Sequence, residues 1–315
     1  MRTKRKILLL LQFLLSGGLL YWVFSGVDWN VFFHTVAGAD LRYMVAAFVL
    51  MQANALLQGA RLHIVLQQAG IDRGLGKTVA AYWVGLFHDI YLPANIGGDA
   101  FRVWRLGGRD DLLSVASGLL ALRVQGALGI LAIGCFGAAT YFMPTAGGYC
   151  AAFAAVGAGV LVLRLLYSRF VAGDAEGDPP PNLSRLARIF EGMMLFARNR
   201  NVFLASYGVH ILFVLSTCAI YGLMFRAFSV SVPFVDLCVG IPVIMFVSML
   251  PVSIQGRGVT EWLACFFWAG VYGSKEQLVA GCLTIYFLLI AQGLLSGLVW
   301  LARSGSSALE IGKKR

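Results

Sequence analysis

Residues 92–104 read LPANIGGDAFRVW, and residues 250–262 read LPVSIQGRGVTEW. Laid together at an offset of 158, they share Leu92/Leu250, Pro93/Pro251, Ile96/Ile254, Gly98/Gly256 and Trp104/Trp262, while Asn95/Ser253 and Ala100/Gly258 are close in chemistry. Apolar sequence repeats leucine and isoleucine by chance. It does not readily repeat proline, glycine and tryptophan at one fixed spacing. Proline removes a backbone donor and clashes with the preceding turn, and glycine weakens a helix further. The two stretches therefore read as equivalent helix breaks, one at Pro93, Gly97 and Gly98, the other at Pro251 and Gly256.

Outward from the breaks, the flanking segments 78–107 and 234–272 are apolar, and uninterrupted apolar runs fall at 7–25, 43–66, 113–143, 149–167, 202–227 and 278–302. A spanning helix takes roughly 20 apolar residues to cross ~30 Å of hydrocarbon. Of the 315 residues, 59% are hydrophobic and 13% charged, whereas a soluble domain carries about a quarter charged. The expectation is an all-α integral membrane protein with about six full transmembrane helices and two re-entrant or broken helical hairpins, in two inverted repeats. The first repeat is 1–143 with its hairpin at 78–107. The second is 144–315, with a cytoplasmic loop at 168–200 and a hairpin at 234–272.

Charge gives the topology. The net charge is +10, from 25 Lys+Arg against 15 Asp+Glu, and cytoplasmic loops of membrane proteins collect the basic residues. Most of them fall in the N-terminal tail, in 67–77 (Arg73, Lys77), after the first break (Arg102, Arg105, Arg109), in 164–200 and at the C-terminus. The loops 26–42, 144–148, 228–233 and 273–277 hold only Arg42 and Lys275. All the basic clusters share one side if each interrupted segment enters the membrane and returns to the side it left. The first hairpin then enters from the cytoplasm and the second from outside, with both termini cytoplasmic in the cell (inner) membrane. Broken helix pairs that cross fully, with extra spans, are the alternative. Basic residues interleaved with apolar spans argue against nucleic-acid binding.

The N-terminal MRTKRK and the run from Ile7 to Phe24 resemble a signal peptide, but the apolar run is long and no Ala-x-Ala follows, so an uncleaved first helix is expected. Residues 168–183 are polar and proline-rich, as a loop would be. Residues 184–200 alternate apolar and basic positions, reading as an amphipathic interfacial helix or as the start of the next span. The six cysteines lie in apolar surroundings without a CxxC pair, and the four histidines form no HExxH pattern, so neither a metal nor a cofactor is expected. His88-Asp89, just before the first break, also reads as a proton relay.

Charges near the breaks are the candidate site. Hydrocarbon satisfies no free N–H or C=O, so irregular backbone at membrane depth survives only inside protein or beside a polar cavity, and paired discontinuous helices point to transporters. Broken helix N-termini favour an anionic group such as lipid phosphate. Asp99, Arg102, Arg257 and Glu261 flank the breaks, with Asn95, Ser253 and Gln255 inside them. Asp99–Arg102 and Arg257–Glu261 read as local ion pairs or as headgroup ligands. Arg123 lies well inside a span and needs a partner. Arg61 either snorkels to the interface or serves the site.

At these residues the chain resembles the lysylphosphatidylglycerol synthase transmembrane (flippase-like) family. The resemblance rests on Arg61 in Gly-Ala-Arg, LPANIGGDAFR at 92–102, Arg123 in LRVQGALGI and LPVSIQGRGVTE at 250–261. Pro93, Gly97, Gly98, Asp99 and Arg102 match the family's first segment closely. In the second, Gln255 stands where glycine is common and Thr260 where arginine is common, and Leu122 replaces the glutamate before the mid-span arginine. The resemblance implies movement of polar or charged lipids between leaflets, with Arg61, Asn95, Asp99, Arg102, Arg123, Ser253, Gln255, Arg257 and Glu261 binding the substrate. The chain has no room for the aminoacyl-transferase domain of bifunctional members, so lipid aminoacylation is not expected, and with no catalytic motif in the sequence no enzyme activity is expected. The alternative is a membrane-embedded polyprenyl-phosphate phosphatase or transferase, a class that also uses inverted hairpins. Expected partners are a membrane lipid and either a second copy of the chain or a lipid-biosynthesis enzyme.

Overall fold

The computed structural model describes residues 24–90, 96–108, 111–142, 199–249 and 256–313, together with Gly18, Tyr21 and Trp22. The expected span at 149–167, the linker 168–183, the amphipathic stretch as far as Arg198, most of the 7–25 run, and Pro93, Asn95, Pro251, Ser253 and Gln255 lie outside the described residues. Among those described, the chain is helical throughout. The elements are α1 (Trp29–Ala37), α2 (Leu41–Gln68), α3 (Leu75–Asp89), α4 (Ile96–Gly107), α5 (Leu112–Phe142), α6 (Arg200–Ala227), α7 (Phe234–Met249), α8 (Val259–Trp268) and α9 (Lys275–Lys313).

Four of these, α2, α5, α6 and α9, are long and apolar enough to cross a membrane. Their starts carry local signals. Asp40 accepts from the Arg42 N–H at 2.9 Å at the head of α2, and Asn199 caps α6 through the Val202 N–H. A short polar side chain at this position satisfies a helix N–H that has no partner inside the helix.

The two interrupted segments form hairpins. At ~1.5 Å per residue, the 15 residues of α3 and the 16 of α7 extend less than 25 Å, short of a ~30 Å core. Arms α3 and α4 run antiparallel. Arg102 reaches back to the Tyr82 carbonyl, and the Gly98 N–H reaches Asp89. At the open end, Arg73 donates to the Leu106 carbonyl at 3.0 Å and pairs with Asp111. The two arms therefore bring the chain back to the end of the bundle from which it set out. In the second half, Trp268 packs on Gly240 and Ser248 on Gly256, so α7 and α8 also return together. The turn into α8 uses positive φ at Gly256 (75°) and Gly258 (83°), a region that residues bearing a Cβ avoid.

Beyond the quoted stretches, the 158-residue offset approximates the helix order, the starts agreeing within one residue for the first two pairs and within five for the last two. It carries α2 onto α6, α3 onto α7, α4 onto α8 and α5 onto α9 in order. The corresponding helices α2 and α6 run antiparallel. Asp40 N–H bonds Ala227 O at one end, and Asn199 bonds Gln68 at the other. The packing is reciprocal too. Gly134 and Gly137 of α5 lie against Pro242 and Cys238 of the second hairpin, while Gly293 and Gly297 of α9 lie against Ile90 and Phe87 of the first. Each long closing helix thus grips the other half's hairpin through small residues, the usual device for close helix approach in membranes. One end of the bundle carries Arg73, Lys77, Arg105 and Arg200. The other carries Asp28, Asp40, Asp236 and Glu276, with Arg42, Arg226 and Lys275.

Candidate functional site

The first hairpin builds a four-charge cluster. Arg102 projects from α4 toward α3 and is 3% exposed. Its guanidinium donates to Asp99 Oδ1 at 2.7 Å, one turn back on α4, and to Asp89 Oδ2 at 3.1 Å and the Tyr82 carbonyl at 3.2 Å on α3. It also lies 4.0 Å over the Tyr82 ring. Gly85 makes room for it, since a Cβ there would stand 2.7 Å from Arg102 Nε. Asp89 is held in turn by the Gly98 N–H at 2.8 Å, at the first turn of α4.

Asp99 faces two ways. Its Oδ2 accepts from Arg123 Nε at 2.8 Å, across to α5. Two carboxylates and two guanidiniums balance one another, as charges at membrane depth commonly do. The two arginines differ in access. The Arg102 side chain is 4% exposed and the Arg123 side chain 42%. Counting ~1.5 Å per residue from Leu112, Arg123 lies about 16 Å into the bundle, near half the hydrocarbon thickness.

Arg61 occupies a separate, closed network. It is 3% exposed, so the snorkelling alternative is overturned: the side chain turns inward between α2, α5 and α6. Nε donates to Ser206 Oγ at 3.2 Å, one terminal nitrogen to Gln58 (3.2 Å) and His210 Nδ1 (3.1 Å), and the other to the Leu122 carbonyl (3.1 Å) and Gln125 Oε1 (2.7 Å). Arginine only donates, so His210 Nδ1 accepts. The Nε2 of that ring then carries the hydrogen and donates to the Gly126 carbonyl at 3.0 Å. All five guanidinium N–H directions meet neutral acceptors of the protein, and no carboxylate is within ion-pair distance of Arg61 among the described residues.

In the second hairpin, Glu261 is fully buried in the first turn of α8. Its Oε2 accepts from the Gly258 N–H at 2.8 Å, and its Oε1 is buried without a hydrogen-bond partner. The expected Arg257–Glu261 ion pair is not formed. Arg257 is exposed and lies 5.5 Å over the Tyr286 ring, while the carboxylate turns back to cap its own helix, because the left-handed backbone at Gly258 aims that N–H at it. Thr260 hydroxyl approaches Tyr286 hydroxyl at 3.4 Å.

Of the residues singled out from sequence, Asp99, Arg102 and Arg123 therefore meet in one cluster. Arg61 is apart but touches the backbone one residue before Arg123, and Arg257 and Glu261 belong to the other hairpin. Gly97 and Gly98 are buried at the head of α4. Asp89 as an Arg102 partner, Tyr82, and the Arg61 partners Gln58, Gln125, Ser206 and His210 were not assigned from sequence. Asp89 carried a signal, a carboxylate just before a break. The others are single polar residues on long apolar helices, with no local pattern to tie them together. His88 bonds the Val84 carbonyl and stacks on Phe101.

A helical bundle with two short helical hairpins and an internally paired charge cluster defines a class of polytopic membrane protein. Residues 9–297 match the family described as lysylphosphatidylglycerol synthase TM region, and the chain belongs to that family. No curated protein matches it significantly. Membership gives the chain a membrane lipid-related role.

Proposed function

We propose that the protein moves a lipid with a polar or anionic headgroup between leaflets. The observation that carries the reading is Arg123, a side chain 42% exposed near mid-membrane depth and anchored to Asp99. An arginine at that depth is costly unless it faces protein, water or a polar ligand. Its exposed side suits a lipid phosphate, and guanidinium–phosphate pairs are strong, charge-assisted contacts. The anchoring carboxylate competes with that phosphate, which favours release as well as entry, as passage requires. Arg102 is sheathed by the hairpin and positions Asp99. Arg61 spends its donors on the protein and holds α2, α5 and α6 together.

On this reading the chain acts by binding and movement, without a covalent step. Its basic end and both termini face the cytoplasm of a cell membrane. The lipid is its first partner, with a second copy or a lipid-biosynthesis enzyme beside it. The test is a vesicle assay with a headgroup-labelled anionic lipid and an impermeant quencher. Protein-free vesicles lose the outer-leaflet signal alone, and vesicles with the protein lose nearly all of it. A plateau at the outer-leaflet share in both would overturn the proposal, and release of inorganic phosphate from a polyprenyl phosphate would replace it with the phosphatase reading.

A further inference from the structure

Glu261 is unlike the other membrane-embedded carboxylates near the breaks. Asp89 and Asp99 each meet a guanidinium. Glu261 meets none within ion-pair distance among the described residues, is 0% exposed, and leaves Oε1 without a partner. Among the described residues its surroundings are short of positive charge. From α6 the titratable neighbour is Tyr221; from α9, Tyr286 and Cys282; from its own arm, Cys265 and Arg257. On α7, Ser248 lies against Gly256 before the turn into α8, and its Oγ is also buried without a partner. That helix's acid, Asp236, stands at its other end, bonded to Tyr272. Among the described residues the cation acting on it is Arg257, which is exposed and directed over Tyr286.

An ionised carboxylate taken out of water without a paired charge costs several kcal/mol, and such a group neutralises instead. Capping does not account for the acid. The Gly258 N–H uses one oxygen, and a glutamine would accept that bond without burying a charge. What only the acid supplies is an exchangeable proton. We propose that Glu261 is a membrane-buried proton-binding site. It holds the proton in this conformation and releases it when the second hairpin opens to water, so that proton movement accompanies lipid movement. The coupling clause rests on the transport reading above; the proton site does not.

Infrared difference spectroscopy on the full-length protein in lipid, using Glu261→Gln to keep the cap, separates the two. Near neutral pH the parent protein shows a protonated-carboxyl stretch, shifted by deuterium exchange, that the variant lacks. A band unchanged in the variant, or no band in the parent, overturns the site; a sodium-dependent signal without the band assigns it to a metal cation instead and also overturns it. In vesicles with an imposed pH gradient, the parent accumulates the labelled lipid in one leaflet several-fold, while Glu261→Gln only equilibrates it or is inert. Equal accumulation by the two overturns the coupling. A parent that moves no lipid but keeps the band removes the transport reading and leaves the proton site standing.

Discussion

Removing Asp99 takes one anchor from two arginines in different surroundings, and the unequal cost reports what lies beside Arg123. In Asp99→Ala, Arg102 loses its 2.7 Å partner and stays buried, keeping Asp89 at 3.1 Å and the Tyr82 carbonyl. Breaking one side of a buried pair costs about 3–5 kcal/mol; the surviving contacts place this case at about 3 kcal/mol. Arg123 is 42% exposed. If its open side is hydrated, its pairing with Asp99 contributes about 0–1 kcal/mol, the range of screened pairs. Double-mutant cycles separate the two. The Asp99/Arg102 cycle should show a coupling of roughly 2 kcal/mol or more, and the Asp99/Arg123 cycle less than about 1 kcal/mol. Equilibrium unfolding in mixed micelles by a denaturing detergent supplies the free energies. A larger coupling to Arg123 than to Arg102 would mean that Arg123 faces hydrocarbon rather than a polar path, and the site assignment would fail with it.

Other outcomes follow from the same contacts. Gly85→Ala puts a methyl 2.7 Å from Arg102 Nε, and should destabilise by about 1–3 kcal/mol, read by the same unfolding measurement; no loss would mean the guanidinium is not seated there. Arg61→Lys leaves carbonyl and amide acceptors that three N–H donors on a point charge cannot all reach; folded yield should fall, while lipid movement per folded molecule is unchanged within about two-fold. A Cβ at Gly137 would stand 2.8 Å from the Cys238 carbonyl oxygen, a backbone atom that cannot swing aside. Gly137→Leu should therefore lower thermal stability, and Gly297→Leu, on α9 against Phe87 of the first hairpin, should do likewise. Single cysteines at Lys77 and Arg105 should react with an impermeant reagent from one side of the membrane, and cysteines at Asp236 and Lys275 from the other; a shared side would break the inverted arrangement.

The fold was largely legible because its signals are local. Length and apolarity alone mark α2, α5, α6 and α9, and the charge distribution alone leads to the expectation that the interrupted segments turn back, with the Arg73–Leu106 and Gly98–Asp89 contacts folding the two arms of the first together. The order of helices from α2 to α5 recurs from α6 to α9 at about the offset seen in thirteen residues, although the lengths differ, with 31 residues in α5 and 39 in α9. The site was legible only where the partners are close in sequence. Asp99–Arg102 is a one-turn pair that helical spacing dictates. Arg61 was misread in the snorkelling alternative, because its five acceptors come from three helices and no local pattern brings them together. The Arg257–Glu261 pair failed for a backbone reason, the left-handed turn at Gly258, which redirects the carboxylate to its own cap.

The most direct measurement is the ratio of anionic to zwitterionic lipid movement in the same vesicles for the parent and for Arg123→Ala. Taking a ratio cancels differences in folded protein. If Arg123 receives the headgroup phosphate against Asp99, the variant should lose preference for the anionic lipid by roughly ten-fold, the equivalent of about 1.4 kcal/mol. An unchanged ratio, with both lipids still moving, would contradict the claim that this hairpin-held arginine handles the headgroup.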